Sequence, residues 1–485
     1  MVQSTVYHRI TMHIKKKNLL SGFVIVMAVA AMVTGCGSVK NGKSETAGLW
    51  ITMPDRSALL QKEAVTVTGQ PKNENIQLTI NTGKTFQEMD GFGYTLSGGS
   101  VLHISKMSAP ARAKLLQHIY GTGPDDLGVS YIRISIGASD LDELLFSYND
   151  LPAGQTDVNM EKFDLGYDKK YLIPVLQDIL KINPSIKILG SPWSPPVWMK
   201  TNGDTRGGSL KPEYYTAYAK YFVKYVQEMK KNGITIDAIT VQNEPLHPGN
   251  NPSLLMLAED QKVFVRDHLG PEFKKNGITT KIIIYDHNAD RPDYPITILN
   301  DKEAAKYIDG SAFHLYGGKI EAVSSVHEAH PDKNLYFTEQ WVGAPGNFAN
   351  ELNWHIENLI IGAPNNWCKT VLEWNLAADE KQEPHTDRGG CVGCLGAVTI
   401  TGDTVTPEPA YYIIAHASKF VRPGSVRVQS NVIEGLPNVA YKTPSGNTVA
   451  IIQNTSKEVK TIDVNAGKKN TTITLKAGAV ATLVM

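Results

Sequence analysis

Short apolar segments rich in β-branched residues recur through the middle of the chain, and each precedes a longer stretch with helical spacing. Eight strands that alternate with helices over roughly 300 residues predict a closed parallel barrel, because each helix returns the chain to the same end of the sheet. The predicted strands are Met89–Gly93, Ser130–Ile136, Lys187–Ser191, Ile236–Gln242, Lys281–Tyr285, Ala312–Tyr316, Leu335–Thr338 and Val371–Trp374.

One connecting helix is predicted from its ends. Pro212 suits a first helical turn, and Gly233 suits a stop after two lysines. Between them an apolar stripe at helical spacing is expected to pack against the barrel rather than to bind a sugar. Its members are Tyr215, Tyr218, Phe222, Val226 and Met229.

The C-terminal part of the chain has a different pattern of apolar segments. After Pro423-Gly424, short apolar segments alternate with turns, a spacing that predicts a small all-β sandwich. The segment Gln77–Thr82, before the barrel, is also β-like and can supply a strand to that domain. The C-terminal strands are predicted at Val439–Tyr441, Thr448–Asn454, Val459–Val464, Thr472–Leu475 and Val480–Val484.

The N-terminus has the order of charged, apolar and small residues found in export signals. Three lysines precede an apolar run from Leu19 to Val33, and Thr34-Gly35-Cys36 follow it. A cysteine directly after small residues resembles the lipobox of bacterial lipoproteins. We therefore expect residues 1–36 to be a lipoprotein signal, with lipid on Cys36 and residues 37–48 as a flexible tether. An uncleaved anchor is the alternative.

The amino-acid composition argues against several classes of binding partner. Lys+Arg and Asp+Glu both number 48, so no excess of charge favours nucleic acid or an acidic polymer, and a neutral substrate is expected. Three cysteines remain after Cys36, namely Cys368, Cys391 and Cys394. No second pair of metal-ligand spacing accompanies Cys391-Val-Gly-Cys394, so a small local disulfide or free thiols are expected instead of a redox or zinc site.

Polar and aromatic side chains stand at the predicted strand ends, where barrels of this kind carry catalytic groups. Two of them are glutamates that end β-like runs, Glu244 and Glu339. Two carboxylates beside aromatic rings suit glycoside hydrolysis, because one can protonate the leaving oxygen while the other attacks the sugar carbon. The other strand-end residues are Arg133, Asp140, Trp193, Asn243, Asp286, His287, His314, Tyr316 and Trp374.

Each of these residues also has a structural interpretation. A glutamate at a strand end can be solvated or can cap a helix, as can Asp140, whereas the tryptophans and His314 can be core residues. For a catalytic pair, the proton donor needs a raised pKa, which burial and a neighbouring glutamate would supply. Once that neighbour carries the sugar its charge is gone, and the donor can act as a base.

Several longer motifs carry a family resemblance from about Phe86 to the C-terminus. They are Asp90-Gly-Phe-Gly93, Ser191-Pro-Trp-Ser-Pro-Pro-Val-Trp-Met-Lys200, Asn243-Glu244-Pro245, Trp374-Asn-Leu376 and Ser418-Lys-Phe-Val-Arg-Pro-Gly424. Together they resemble glycoside hydrolase family 30, which includes the lysosomal glucosylceramidase and microbial β-1,6-glucanases.

The resemblance implies a retaining β-glycosidase without a metal or other cofactor, with Glu244 as acid/base and Glu339 as nucleophile. It implies a (β/α)8 TIM barrel with an all-β sandwich formed from both chain ends. The expected bounds are 49–85 for the N-terminal sandwich strands, 86–415 for the barrel and 416–485 for the C-terminal sandwich strands. Six residues match substrate-binding positions of the family: Asp140, Trp193, Asn243, His314, Tyr316 and Trp374.

Two departures bear on the substrate. Leu141 stands where the family usually has phenylalanine, and residues 383–394 replace a stretch that borders the sugar in the animal glucosylceramidase. We therefore expect a monomeric, exported, membrane-anchored enzyme that cleaves β-1,6-glucan, with glucosylceramide or another β-glucoside as the alternative. From a different class, the chain could be an inactive carbohydrate-binding lipoprotein; such a protein would have lost a catalytic glutamate, and both are present.

Overall fold

The computed structural model describes residues 46–68 and 74–485. The predicted signal, Cys36 and most of the predicted tether lie outside the described residues. The last three tether residues, 46–48, begin a strand instead, because they pair with the strands on either side and bury Ala47. None of the described helices is long and apolar enough to span a bilayer.

Eight parallel strands close into the predicted barrel. Three strands precede it: β1 (Thr46–Thr52), β2 (Gln61–Thr66) and β3 (Ile76–Glu88). The barrel strands are β4 (Gly91–Thr95), β5 (Tyr131–Ser135), β6 (Lys187–Ser191), β7 (Ala238–Thr240), β8 (Lys281–Asn288), β9 (Ile308–His314), β10 (Asn334–Glu339) and, after the short β11 (Val342–Gly343), β12 (Cys368–Glu373).

Helices connect the barrel strands. The segments Phe264–Leu269 and Ile356–Gly362 are wider helical turns that continue the helices before them. The α-helices are α1 (Gly98–Lys106), α2 (Ala109–Tyr120), α3 (Leu172–Ile182), α4 (Tyr215–Lys231), α5 (Ala258–Val263), α6 (Gly270–Lys275), α7 (Asp293–Leu299), α8 (Lys302–Ala305), α9 (Ser324–Ala329), α10 (Phe348–His355), α11 (Ala363–Asn365) and α12 (Pro409–Ser418).

Helix α4 is the connecting helix expected from the sequence. Pro212–Tyr214 form a single tighter turn before it, and it ends two residues before Gly233. Tyr215, Tyr218, Phe222 and Met229 of the apolar stripe are buried. The stripe therefore faces the barrel, as predicted.

The barrel interior is built in layers. An apolar layer lies nearer the N-terminal strand ends and includes Tyr131, Leu189, Ala238 and Tyr336. Side chains two residues further along a strand point to the same face, so the next layer is formed by Arg133, Ser191, Thr240 and Thr338. All four of those polar residues are fully buried. A polar layer at this level places hydrogen-bonding groups directly beneath the C-terminal strand ends.

The sandwich is one strongly curved nine-stranded sheet. After the short strands β13 (Ala377–Ala378), β14 (Cys394–Leu395), β15 (Val398–Thr401) and β16 (Thr404–Pro407) come β17 (Val426–Ser430), β18 (Asn438–Lys442), β19 (Thr448–Gln453), β20 (Lys460–Ala466), β21 (Lys469–Leu475) and β22 (Val480–Val484). The strand order is β2-β1-β22-β19-β18-β17-β3-β20-β21.

Both chain ends thus build this sheet, and its two edges meet where Thr68 bridges to Asn470. Alternate residues of β18 and β19 face different cores: Ala440 and Ile452 face the sandwich interior, whereas Tyr441 and Ile451 join the barrel core. The barrel and the sandwich are therefore packed as one body.

Candidate active site

The C-terminal ends of the barrel strands surround a cavity of about 410 Å³. Both glutamates predicted from the sequence line it, at the ends of β7 and β10. The other lining residues are Asp140, His247, Asn250, His287, Asn288, Tyr316, Trp341, Trp374, Gly389, Gly390, Cys391 and Cys394.

Backbone hydrogen bonds fix Glu244 just beyond β7. Its N–H donates to the carbonyl oxygen of Asp286 at 2.9 Å, and the N–H of Asn243 donates to that of Pro192 at 2.8 Å. Glu244 has a φ of +44°, a left-handed conformation that non-glycine residues seldom adopt. The neighbouring loops thus hold the carboxylate in a turn and direct it to the cavity.

A bulge near the end of β8 turns two further residues toward the site. The register of β8 against β9 shifts between Tyr285 and His287, and both Tyr285 and Asp286 have a φ of +71°. Asp286 is fully buried in the polar layer, whereas His287 lines the cavity.

Arg133 connects the two strand ends. Its Nη1 donates to Glu339 Oε2 at 2.5 Å, and its Nη2 donates to Asn243 Oδ1 at 2.6 Å and to Asp286 Oδ2 at 3.0 Å. Arg133 and Asp286 are fully buried, and Glu339 is 6% exposed. The guanidinium therefore fixes the orientation of the Glu339 carboxylate.

Asp286 is the central acceptor of the polar layer. It accepts hydrogen bonds from the hydroxyls of Ser191, Thr240 and Thr338 at 2.6–2.7 Å. Burial alone would raise its pKa, but the charge of Arg133 and the hydrogen bonds of His314 and Thr338 hold the pKa of Asp286 well below its usual range. Asp286 is therefore a permanent negative charge beneath the cavity.

His314 lies between the two glutamates. Its Nδ1 is 3.3 Å from Glu244 Oε1 and 3.8 Å from Glu339 Oε1, and its Nε2 is 3.1 Å from Asp286 Oδ1. Burial would lower its pKa, but Glu339, Asp286 and Glu244 together raise the pKa of His314 to about 9. On its other side Glu339 Oε1 accepts from the hydroxyl of Tyr316 at 3.0 Å. His314 and Tyr316 thus both lie against Glu339, and His314 also contacts Glu244.

The spacing of the two glutamates is short. One carboxylate oxygen of each, together with a ring nitrogen of His314, lie within 4.8 Å of one another. Among the described residues, these three form the one cluster compact enough to hold a metal ion, and each ring nitrogen of His314 already faces a carboxylate. An oxygen-to-oxygen distance of at most 4.8 Å favours the retaining arrangement, whose carboxyl groups lie roughly 5–5.5 Å apart, over the inverting one at about 6.5–9.5 Å.

The electrostatics of Glu244 differ from the expectation. Burial does raise its pKa, but the hydrogen bond and charge of His314, with a smaller contribution from His287, outweigh burial and hold the pKa of Glu244 below its usual value. The raised pKa expected for Glu244 is thus wrong. These shifts favour a protonated His314 beside an ionised Glu244, with Nδ1 3.3 Å from Glu244 Oε1.

Asp140 and the two tryptophans are placed differently from one another. Asp140 is 7% exposed and lines the cavity, and its Oδ1 has no hydrogen-bond partner in the structure. Burial and the charges of Glu339 and Glu244 raise the pKa of Asp140 well above its usual value. Trp374 lines the cavity, whereas Trp193 lies behind it with ring centroids 5.4 Å apart. Trp193 is buried, and its ring stacks on Arg133 at 4.8 Å. It therefore supports the wall of the cavity without lining it.

The segment 383–394 forms one wall of the cavity. Cys391 and Cys394 form the expected local disulfide, and Cys368 is a buried free thiol. Cys394 packs with Leu141 and the two tryptophans. The two departures from the family pattern, Leu141 and the segment 383–394, thus pack together through Cys394.

This wall is attached to the loops after β6 and β7. Asn251 accepts from Thr205 at 2.7 Å and donates to the carbonyl oxygen of Asp387 at 2.9 Å. Arg388 also donates to both carboxylate oxygens of Asp204 at 3.1 Å. Three loops therefore form a connected rim.

Four cavity residues were not assigned a role from the sequence: His247, Asn250, Asn288 and Trp341. Asn250 Nδ2 donates to Glu244 Oε2 at 3.0 Å. Trp341 stands two residues after Glu339, and Asn288 ends β8, so their proximity to strand ends was the available signal. His247 and Asn250 lie in a loop, where no periodic pattern marks them.

Two family models match the chain. The glycosyl hydrolase family 30 TIM-barrel domain matches residues 89–421, and the family 30 beta sandwich domain matches residues 424–483. Together these matches cover the barrel and the C-terminal part of the sandwich.

Curated relatives and solved structures of the same kind are similar over most of their length. An endo-1,6-beta-D-glucanase of Aspergillus fumigatus is 32% identical over 83% of this chain and 86% of its own. The lysosomal acid glucosylceramidase of Mus musculus is 30% identical over 79% of this chain and 78% of its own. A solved endo-beta1,6-glucanase superposes with a TM-score of 0.84 at 34% identity, covering 91% of this chain and 99% of that one.

Proposed function

This chain belongs to glycoside hydrolase family 30, and from that premise we propose that it hydrolyses β-1,6-glucan with retention of configuration. The observation that carries the proposal is the pair Glu244 and Glu339, which face one cavity within 4.8 Å of each other across His314. That distance leaves room for direct attack on the sugar but not for an interposed water, as retention requires.

Glu339 is the nucleophile in this proposal. Arg133 holds one of its oxygens at 2.5 Å and Tyr316 holds the other at 3.0 Å, so the carboxylate is oriented before substrate arrives. Attack on the anomeric carbon forms the glycosyl ester as the bond from that carbon to the leaving oxygen breaks. The ester removes the negative charge from Glu339.

Glu244 is the acid/base. In the first step a proton passes from His314 Nδ1, 3.3 Å from Glu244 Oε1, to Glu244 and on to the leaving oxygen, which leaves Glu244 ionised and His314 neutral. In the second step Glu244 removes a proton from the attacking water as the glycosyl ester is cleaved, and that proton returns to His314. The His314 imidazolium therefore serves as the proton reserve for an acid whose own pKa is low.

The cavity lining favours a sugar as the leaving group. His247, Asn250 and His287 stand around Glu244, and the backbone of Gly389 and Gly390 completes that side. Hydroxyl groups of a glucan can hydrogen-bond to such a lining, whereas a lipid chain cannot. Asp140 and Trp374 both line the cavity, and in this proposal the carboxylate binds a hydroxyl of the cleaved sugar while the indole covers a face of its ring.

Two variants distinguish the roles of the two glutamates. Glu339→Gln should lower kcat on an aryl β-glucoside by at least about 1,000-fold while binding stays measurable. The control is Glu458→Gln, at a side chain that is 77% exposed, which should leave kcat unchanged. Azide should restore turnover to Glu244→Ala on an activated substrate and yield a β-glycosyl azide. Wild-type turnover in Glu339→Gln would refute the assignment.

The substrate is tested by a panel. β-1,6-glucan, other β-linked glucans and glucosylceramide are compared by kcat/KM and product chain length. The alternative substrate is glucosylceramide, which the similarity to the mouse enzyme favours. Preference for glucosylceramide over β-1,6-glucan by ten-fold or more would replace the first proposal with the second.

We also propose that lipid on Cys36 anchors the enzyme to a membrane surface of the exporting cell. The support is the order of charged, apolar and small residues before Cys36. Cys36→Ser should move the protein from the membrane fraction to the soluble fraction and abolish labelling by a radioactive fatty acid. Labelling that persists in Cys36→Ser would contradict the anchor.

A further inference from the structure

A second pocket lies at the end of the barrel opposite the two glutamates. Its volume is about 400 Å³, and it forms where β17 meets the residues just before β4 and β12. Parallel strands begin at one end of a barrel, so this pocket is remote from the catalytic end. The lining residues that matter are Phe86, Asn365, Arg427, Gln429, Asn431 and Asn438.

Arg427 is the unusual residue of this pocket. It is 7% exposed, and no carboxylate in the described part of the chain forms an ion pair with it. Its Nε donates to Gln87 Oε1 at 2.9 Å, whereas its two terminal nitrogens donate to no acceptor among the described residues. Its guanidinium stacks on Phe86 at 3.7 Å from the ring centroid and lies 5.4 Å from that of Trp367.

A purely structural role explains only part of this arrangement. Attraction to aromatic faces offsets a fraction of what it costs to take an unpaired charge out of water. Burial lowers the pKa of Arg427 to about 10, so the side chain is still charged at neutral pH. By contrast, Arg56 stacks on Phe348 at 4.6 Å on an exposed surface, where water solvates its charge.

The remaining lining suits a hydroxylated anion. No aspartate or glutamate lines the pocket. The side-chain nitrogens of Asn365, Asn431 and Asn438 already donate to backbone carbonyl oxygens. Gln429 and the side-chain oxygens of Asn365 and Asn438 supply the remaining amide groups of the lining. The planar fork of a guanidinium matches two oxygens of a carboxylate or phosphate. The volume is sufficient for a monosaccharide.

We propose that this pocket binds a sugar that carries an oxyanion, a carboxylate or a phosphate, with Arg427 paired to the oxyanion and the amides to the hydroxyls. This site is independent of the proposed glucanase activity. Its occupant would bridge the sandwich and the barrel at their junction, because Arg427 belongs to β17 and Asn365 to α11.

Isothermal titration of the whole protein tests the proposal with four probes: glucuronate, glucose 6-phosphate, inorganic phosphate and glucose. We expect one or both acidic sugars to bind at least ten-fold more tightly than glucose and than inorganic phosphate. Which acidic sugar binds distinguishes carboxylate from phosphate as the source of the oxyanion. Arg427→Gln should weaken that binding at least ten-fold, whereas Arg56→Gln should not change it.

A second variant keeps the test valid if Arg427→Gln does not fold. Gln429 lies two residues from Arg427 on the same strand face, and Gln429→Glu places a carboxylate there with little change of shape. It should pair with Arg427 and weaken binding of the acidic sugar by a similar factor. Acidic sugars that bind no better than glucose, or affinity unchanged in Arg427→Gln and Gln429→Glu, would overturn the proposal.

Discussion

Arg133 reaches Glu339 with one terminal nitrogen and Asn243 with the other, which a lysine cannot do. We predict that Arg133→Lys lowers kcat on an aryl β-glucoside by about 100-fold, with KM changed much less, because the misoriented carboxylate affects the attack more than binding. Steady-state kinetics measure both constants. The control is Arg112→Lys, at an exposed ion pair, and a kcat within about two-fold of wild type in Arg133→Lys would refute the orienting role.

The raised pKa of His314 makes the stability of the folded protein depend on pH. Its folded-state pKa of about 9 lies above its ordinary 6.5, so protonated His314 stabilises the folded protein fully below about pH 6.5. This contribution is lost as the pH rises toward about 9. The difference corresponds to about 3 kcal/mol.

Chemical denaturation of wild type and His314→Asn at about pH 6 and about pH 9 measures this difference. The stability gap between the two proteins should shrink at the higher pH. His416→Asn is the matched control, because burial lowers the pKa of His416 to about 3 and it stays neutral across this range. A gap for His314→Asn that is the same at both pH values would contradict the assigned charge.

Sequence reasoning identified both glutamates because each follows a strand-like run, but it could not give their electrostatics. The pKa of Glu244 is set by His314, which is 70 residues away along the chain, and the direction expected without that contact was wrong. Asp286 was noted at a strand end, yet its place beneath the cavity depends on a bulge that no hydrophobic pattern reveals.

At the scale of elements, the segment 383–394 is the part of the site most open to change. Its disulfide lines the cavity and packs on Trp193 and Trp374. We predict that replacing Cys391 and Cys394 by serine raises KM for an aryl β-glucoside by about ten-fold, with a smaller change in kcat. Reduction of the wild-type enzyme should have the same effect and should leave the serine variant unaffected. An unchanged KM in both cases would show that the wall does not need the disulfide.

Most strands could be predicted because their apolar runs are continuous. The segments Lys187–Ser191 and Val480–Val484 were predicted with the bounds that the structure has. Strand β17 was not predicted, although its apolar and polar residues alternate as in a half-buried strand; it is only five residues long, and its partner β3 lies more than 300 residues earlier. The segment 383–394 was expected from the sequence to border the sugar, but its attachment to the loops after β6 and β7 was not, because those loops are far away along the chain.

At the scale of the whole molecule, the barrel and the sandwich share buried surface. Tyr441 and Ile451 of the sandwich strands pack into the barrel core, and His416 of α12 hydrogen-bonds to Thr52 and Thr482. We predict one cooperative unfolding transition, with equal calorimetric and van't Hoff enthalpies. Two separated transitions in calorimetry would refute this.

A core substitution at the junction should act on both parts together. Ile451→Ala should destabilise the protein by about 2–5 kcal/mol, seen equally in loss of activity and in loss of tertiary structure. Val459→Ala, at a residue that is 61% exposed, is the control and should change little. If the sandwich of Ile451→Ala unfolds while activity persists, the two parts are independent.

The central claim is that Glu339 and Glu244 cleave β-1,6-glucan by double displacement, and the anomer released first tests it most directly. Proton NMR of β-1,6-glucan during the first minutes of hydrolysis separates the α and β anomers of the new reducing ends before they equilibrate. Double displacement should release the β anomer first, followed by slow mutarotation. Initial release of the α anomer, or no new reducing end from β-1,6-glucan, would contradict it.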